Sequence, residues 1–302
     1  MTFSIVIPTK NRPKELLNSF KAILKQTRLP DQLIIVDQSI PSNVVEKKIL
    51  SAADKVNLLV NYIHNQEIDG LVEAKNFGVS LNNCDYISFF DDDILLEKEY
   101  FEFIEDALIS NPLIIGANGI ITNYPKIDYF PKLIFRLTHF GIFKDDRVKK
   151  YSNLIFDKKV PERINVLSGG LSTWKKEVFE KVSFDIENKF HSYEDIEFSI
   201  RVEKKFPRRM FIIPKARLTH NHASMNRQSL LLRTEKDVVE IWMLFKKNKN
   251  IYFFGLDFFV LMLGLFFKSI VLSLKHKNFD FVRSFLRGFK VGFQKKIVFD
   301  EF

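Results

Sequence analysis

The chain has 302 residues, of which 46% are hydrophobic and 27% charged, with 11 Gly and 10 Pro. That length holds one large α/β domain with an appendage, or two small domains, and the composition excludes wholesale disorder and collagen-like or low-complexity character. A single cysteine, Cys84, excludes an intrachain disulfide and suits a reducing compartment. The formal net charge of +9 leaves nucleic acid, an anionic membrane surface or a phosphate-bearing small molecule as partners. No nucleic-acid-binding signature is present, and the basic residues thicken toward the C-terminus beside apolar runs, which favours a membrane surface.

Met1 leads directly into Phe3–Ile7, too short for a signal-peptide core, so the N-terminal part is expected to stay in the cytoplasm. Phe3–Ile7 reads as a buried strand closed by Pro8, and Asn11-Arg12-Pro13 opens a helix marked by Leu16, Leu17, Phe20, Ile23 and Leu24. Gln32–Asp37 is a second strand, Val56–Ile63 a third, Val72–Leu81 a helix, Tyr86–Phe90 a further buried strand, and Tyr100–Ile109 a helix. This alternation predicts a doubly wound, mostly parallel sheet flanked by helices. Ligands in such sheets bind beyond the carboxyl ends of the strands, where Asp37 and Asp91-Asp92-Asp93 fall.

Residues 123–165 are less regular, broken by Pro125, Pro131 and Pro161, and read as an insertion over the sheet, either an acceptor-side lid or a surface excursion. Strand character resumes from Arg163 to Thr173 around Ser168-Gly169-Gly170. Short helices are expected over Lys175–Lys181 and Glu194–Lys205, and strand segments over Arg209–Ile213 and Ala216–His222. Ile251–Leu274 is strongly apolar, broken by Asp257 and Lys268. As a helix these residues would run about 36 Å, enough to cross a bilayer. Both flanks are basic, so charge gives no orientation. Phe279, Val282, Leu286, Phe289 and Phe293 then share one helical face, with Arg283, Arg287 and Lys290 largely off it, the pattern of a helix lying in a membrane interface. A helical pair packed on the rest of the chain would also fit. The expected division is a doubly wound domain over 1–225 and a helical membrane-association region over 226–302.

Three successive carboxylates at a strand end repel one another unless a cation sits among them. In extended backbone Asp91 and Asp93 share a side while Asp92 points away. Hard cations such as Mg²⁺ or Mn²⁺ take such oxygens and also bind diphosphates; a solvated acidic turn is the alternative. His220 and His222, two apart, are each candidates to complete a mixed carboxylate–imidazole site. Glu194-Asp195 opens a helix, where acids are expected from the helix dipole alone, and one of them could serve as general base toward a hydroxyl. Gly169-Gly170 would let backbone approach a ligand or form a bulge, and Trp174 would stack on a sugar ring or pack.

Together these stretches resemble the family 2 glycosyltransferases, which have the GT-A fold, and in particular bacterial enzymes of cell-surface polysaccharide synthesis. Ser4-Ile5-Val6-Ile7-Pro8-Thr9-Lys10-Asn11-Arg12 is similar to their opening strand and turn, and Ile35-Val36-Asp37-Gln38-Ser39 to their nucleoside-binding strand end. Gly70, Ala74, Lys75, Asn76 and Gly78 resemble a glycine–alanine–arginine–asparagine–glycine helix, with Lys75 in place of arginine. Asp91-Asp92-Asp93 matches the metal-binding D-x-D, Glu194-Asp195 the acidic pair and His220 the metal-associated histidine.

The resemblance implies inverting transfer of a hexosyl or deoxyhexosyl group from a nucleotide-diphosphate sugar to a glycan or lipid-linked acceptor. It assigns Pro8, Thr9, Arg12, Asp37, Lys75, Asn76, Asp91 and Asp92 to the donor nucleotide. Asp91, Asp93 and His220 fall to Mn²⁺ or Mg²⁺, Asp195 (or Glu194) to the base, and Gly169, Gly170 and Trp174 to the acceptor side. The expected location is the cytoplasmic side of the membrane, peripheral or monotopic. A non-catalytic nucleotide-sugar-binding or membrane-scaffold protein on the same fold is the competing expectation.

Overall fold

The computed structural model describes residues 1–124, 129–147, 160–221, 229–248 and 255–299. The described strands form one sheet: β1 (Phe3–Thr9), β2 (Gln32–Asp37), β3 (Leu59–His64), β4 (Tyr86–Phe90), β5 (Ile94–Leu96), β6 (Gly116–Ile121), β7 (Glu162–Arg163), β8 (Leu171–Lys175) and β9 (Met210–His220). Their order is β3-β2-β1-β4-β8-β6-β9-β5, with β7 pairing β9. The β3-β2-β1-β4 half is parallel, β8 runs antiparallel to both β4 and β6, β6 and β9 are parallel, and β5 is antiparallel to β9.

Every residue of β1, β2 and β4 is buried, as expected for central parallel strands covered on both faces. Phe3, Ile5 and Ile7 point into one core layer with Leu16, Phe20 and Ile23 of α1 (Pro13–Ile23). Val6, Ile34 and Val36 point into the opposite layer with Val72 and Ala74 of α3 (Leu71–Ser80), together with Phe89 and Phe198. This is the two-residue alternation of a strand read out on both sides. Gly78 of α3 lies against Val6, where any Cβ would collide with the valine side chain.

The remaining helices are α2 (Asn43–Asp54), α4 (Tyr100–Ser110), α5 (Tyr129–Thr138), α6 (Glu194–Lys205), α7 (Leu230–Asn248), α8 (Leu256–His276) and α9 (Asp280–Gln294). Helices α2 and α5 and strands β5 and β6 were not expected from the sequence, while α7 falls in the region expected to be helical. β9 is one strand running through Pro214 rather than two segments. Its parallel ladder with β6 is interrupted between Asn118 and Ile120, so the proline, which has no N–H to donate, sits at an irregularity in the ladder. Lys175–Lys181 holds only the 3₁₀ turn Lys176–Val178, not a full helix.

The chain divides into two compact units. The first comprises Met1–Lys126, Asp146–Phe184 and Phe198–Met225; the second comprises Ile127–Asp145, Asp185–Glu197 and Asn226–Phe302. The sheet belongs to the first unit. The second is built on α5, α7, α8 and α9, with Trp242 and Phe245 of α7 packed on Phe258 of α8 at ring-centroid distances of 4.4 and 4.2 Å. Part of the expected lid region, residues 125–128 and 148–159, and part of the apolar run, residues 251–254, lie outside the described residues.

Candidate active site

The site in the first unit is assembled at the carboxyl ends of β1, β2 and β4, where the strand order turns back on itself. β4 ends at Phe90, and the acidic run leaves the sheet as a turn: the Asp91 N–H donates to the Gly170 carbonyl (3.0 Å) and the Ile94 N–H to the Asp91 carbonyl (3.3 Å). β5 follows at once and pairs antiparallel with the end of β9, Ile94 opposite His220. That pairing carries the imidazole to the carboxylates. His220 Nε2 lies 2.9 Å from Asp93 Oδ1 and 3.6 Å from Asp91 Oδ2. One ligand atom from each of Asp91, Asp93 and His220 falls within 4.8 Å of the others. Two carboxylate oxygens and an imidazole nitrogen at this separation suit one divalent cation.

Asp92 stands outside this cluster, though the run is a turn here and not the extended backbone on which the expected alternation rests. It is buried, accepts the Thr9 hydroxyl on Oδ2 (2.6 Å), and accepts Arg12 on Oδ1 (2.9 Å). Burial pushes Asp92 up to about 6 against the opposing pull of Thr9 and Arg12, with Asp93 adding to the rise. Burial acts on the Arg12 guanidinium in the opposite sense, but its bond to Asp92 and the charges of Asp92, Asp93 and Asp91 outweigh it and raise Arg12 above its ordinary value. Arg12 also lies 3.6 Å from Asp93. The turn after β1 is thereby tied to the acidic run after β4.

Asp37, at the end of β2, is held from two sides. Its Oδ1 accepts the Ser39 N–H (2.9 Å) and its Oδ2 the Tyr62 hydroxyl (2.7 Å). His64, paired with Asp37 in the β2–β3 ladder, has Nδ1 3.8 Å from Asp37 and Nε2 3.4 Å from Glu46. Burial first, and the bond to Asp37 second, push the Tyr62 phenol well above its ordinary value, so it stays a donor. Tyr62, His64 and Glu46 were missed by sequence reasoning. Their signal is the register that sets Asp37 opposite His64 and Ile35 opposite Tyr62. Asn123 was missed too. Its side chain brackets the His220 backbone, accepting the N–H (2.9 Å) and donating to the carbonyl (3.0 Å).

Several expected residues sit differently. Trp174 is 2% exposed, edge-on to Phe198, with its indole N–H donating to Ser172 Oγ (2.9 Å). A ring so enclosed has no face for a sugar, and its place is in the core. Asn76 uses both ends of its amide on the Phe184 backbone (2.8 and 3.0 Å) and holds that segment rather than a nucleotide. Lys75 is buried with its ammonium 5.1 Å from the Phe184 ring centroid and 6.0 Å from that of Phe89. Gly169 is buried, and a Cβ at Gly170 would fall on the Asp91 carboxylate, so Gly170 stands beside the metal-ligand candidates. Pro8 is buried at the end of β1, opposite Val36. His222 lies outside the described residues.

The second unit holds the acidic pair at the start of α6. Glu194 is buried and Asp195 partly open, its Oδ1 accepting the N–H of Ile196 (2.8 Å). Glu197, buried, pairs with Lys247 at 2.9 Å.

Residues 4–183 match the family model described as Glycosyl transferase family 2. Glycosyltransferase GlyG of Streptococcus pneumoniae serotype 4 is 29% identical over 125 residues, 41% of this chain and 40% of GlyG. The crystal structure of GalNAc-T7 with UDP, GalNAc and Mn²⁺ superposes with a TM-score of 0.57 at 16% identity, over 80% of this chain and 48% of that one. The mannosyltransferase PcManGT from Pyrobaculum calidifontis in complex with GDP-Man and Mn²⁺ superposes with a TM-score of 0.53 at 11% identity, over 95% and 73%. The chain spans less than half the length of GlyG and of GalNAc-T7. The structural likenesses show the GT-A glycosyltransferase fold, and with well over half of its residues matched by the family model the chain belongs to glycosyl transferase family 2.

Proposed function

We propose that this protein is an inverting glycosyltransferase, moving a hexosyl or deoxyhexosyl group from a nucleotide-diphosphate sugar to a hydroxyl of a glycan or lipid-linked acceptor in cell-surface polysaccharide synthesis. The observation that carries the reading is the Asp91–Asp93–His220 cluster at the carboxyl end of β4, backed by Asp92 locked to Thr9 and Arg12. Family membership supports it, as do the nucleotides and Mn²⁺ in the complexes of the two structural neighbours. Mn²⁺ or Mg²⁺ held by these three residues would take up the charge of the leaving diphosphate. Asp37, its carboxylate oriented by Ser39 and Tyr62, is the group for the nucleoside, with Pro8, Thr9 and Arg12 lining the same strand ends. Asp195, with Glu194 as the alternative, removes the proton of the acceptor hydroxyl. That oxygen bonds to the anomeric carbon on the face opposite the departing diphosphate, whose bond to the carbon breaks with inversion.

We infer residence at the cytoplasmic face of a membrane, peripheral or monotopic. Among the described residues α8 is the one helix long and apolar enough to cross a membrane. Its outward residues support attachment: Leu256, Phe259, Leu263, Phe267, Val271 and Leu274 are exposed, while Asp257, Ser269 and Ser273 are buried. Leu261 and Met262 face inward as well and Lys268 outward, but an apolar outer face of this extent is unlike that of a helix facing water.

The test of the activity is a thermal-shift screen of nucleotide sugars with Mn²⁺ present, since a ligand of the folded state raises the melting temperature. Release of nucleotide diphosphate is then measured with and without chelator. Turnover that survives chelator removes the metal from the reading. A stabilising donor that is never turned over, with any acceptor or with water, would leave a binding protein.

A further inference from the structure

Helix α7 carries two buried charges, Glu240 and Lys247, seven residues apart. Seven residues advance a helix by nearly two whole turns, so both lie on one face, about 10.5 Å apart along the axis. Each engages the stretch from Asp185 to Glu197 that delivers the acidic pair. Glu240 Oε1 accepts the N–H of His191 (3.1 Å), and Oε2 accepts those of Ser192 and Tyr193 (both 2.9 Å). Lys247 bonds to Asp185 (2.6 Å) and Glu197 (2.9 Å). The stretch is thus held near both ends from one helix face, and Asn188 within it is tied to both backbone groups of Val298.

Three consecutive N–H groups on one buried carboxylate fix the path of the backbone far more tightly than a single cap would, because each bond has its own direction. The anchored run ends one residue before α6. The Tyr193 carbonyl, next to the last anchored N–H, accepts the Glu197 N–H at 2.9 Å, an i to i−4 bond that opens the helix. Asp195 lies inside that first turn, so its position follows from where Tyr193 is held. Neither Glu240 nor Lys247 belongs to the acidic pair or to the metal cluster.

We propose that Glu240 is a positioning residue for Asp195: by holding the N–H groups of residues 191–193 it sets the start of α6 and with it the place of the catalytic carboxylate. This rests on the reading of Asp195 as the base. It makes α7 a working part of the transferase and not only a connection to the apolar helices.

The test compares Glu240→Gln and Glu240→Asp with Asp195→Asn in the full chain. Calorimetric titration with UDP and GDP in the presence of Mn²⁺ counts the folded, binding-competent sites, and steady-state transfer gives kcat and donor KM per competent site. Glutamine keeps the shape but turns an amide N–H₂ toward backbone donors. Glu240→Gln is expected to bind nucleotide and hold KM within about twofold while kcat per competent site falls about 10- to 100-fold, the scale of a small misplacement of a reacting group. Glu240→Asp, which restores the charge one methylene short, is expected to recover part of that loss. A merely structural Glu240 would lower the melting temperature and the number of competent sites and leave kcat per site intact, which overturns the proposal. If Glu240→Gln does not fold, Glu240→Asp carries the same two outcomes. A dead Asp195→Asn beside a fully active Glu240→Gln sinks the proposal alone; a fully active Asp195→Asn sinks the base reading first and the proposal with it.

Discussion

Asp93 and His220 are separated by 127 positions of sequence, yet their side chains approach to 2.9 Å. The short strand β5 causes this: it leaves the acidic run immediately and pairs with the end of β9, so the imidazole is delivered by backbone hydrogen bonding and not by a flexible loop. Asn123 reinforces the delivery by bracketing the His220 backbone from the end of β6.

A graded loss of metal affinity follows. Asp93→Asn removes a proposed charged ligand and is expected to weaken Mn²⁺ binding by more than the 10- to 100-fold typical of supporting residues. Asn123→Ala leaves all three proposed ligands in place but frees the His220 backbone, and is expected to cost about tenfold. Titration of Mn²⁺ followed by electron paramagnetic resonance reads both. Equal affinities in wild type and Asp93→Asn would remove the cluster as a metal site.

Two glycine substitutions separate the site from the fold. In Gly170→Ala the new methyl falls on the Asp91 carboxylate, which must leave the place it holds in the cluster with Asp93 and His220. Metal-dependent nucleotide binding should drop at least tenfold with little change in melting temperature. In Gly78→Ala the methyl meets Val6 in the core. That overpacking should destabilise the protein by about 1–3 kcal/mol and leave Mn²⁺ affinity per folded molecule unchanged. Thermal melts and metal titrations on the same samples decide whether the two effects dissociate.

What could be read from the sequence tracks how local the determinant is. β1, β2 and β4 announce themselves as short, mainly apolar runs, interrupted in β1 and β4 by the buried Ser4 and Ser88, because both of their faces are covered, and α1 by Pro13 and its three- and four-residue apolar spacing. β6, in contrast, begins Gly-Ala-Asn-Gly, and α2 buries only Ile49 and Ala53, so neither has a pattern of its own and packing decides. The acidic run was legible because three adjacent carboxylates need an explanation wherever they fall. Tyr62 and His64 were not, since their relation to Asp37 exists only in the β2–β3 register. Trp174 and Asn76 failed for the converse reason: residue type advertises stacking or hydrogen bonding, while enclosure by Phe198 and the Phe184 backbone is a property of the folded chain.

Lys247 sets up a pH dependence of known sign. Burial alone would raise Asp185, but the Lys247 ammonium and the two N–H donors of Asn188 outweigh it and lower Asp185 below its ordinary value. A carboxylate lowered on folding contributes stability above its unfolded pKa, and that contribution is lost as pH falls through the lower folded value. Lys247→Met leaves Asp185 and Glu197 buried without their cation, a defect worth about 3–5 kcal/mol at pH 7. As pH falls through the lowered folded value of Asp185, the wild-type carboxylate takes up its proton and the pair with Lys247 fails there too. The gap in melting temperature between wild type and Lys247→Met should therefore narrow as pH falls from 7 to below 4. A gap that stays constant or widens would contradict the buried pair.

The outward face of α8 gives the last expectation. A helix in a water-covered protein keeps its outer face polar; α8 buries Leu261 and Met262 together with Asp257, Ser269 and Ser273, and its outer face exposes Phe259, Phe267 and Val271 beside Lys268. Asp257 is used internally, accepting the Ile142 N–H at 3.1 Å, which accounts for a carboxylate on the inner face. Each large apolar side chain moved from water into lipid contributes about 1.5–3 kcal/mol, and exposed Lys275, Lys277 and Lys290 add attraction to anionic headgroups that salt screens. The full chain should float with vesicles containing phosphatidylglycerol and do so less with phosphatidylcholine alone or at high salt. Phe267→Glu combined with Val271→Glu forfeits two such contributions and adds two charges that repel the headgroups, so vesicle affinity should fall by at least a hundredfold, since every 1.4 kcal/mol is a factor of ten. The same variant should keep its donor turnover with a soluble acceptor. Flotation unchanged by the double substitution would show that lipid is not what covers α8. A change in the oligomeric state of the variant, without any flotation of the wild type, would assign that face to a second copy of the chain.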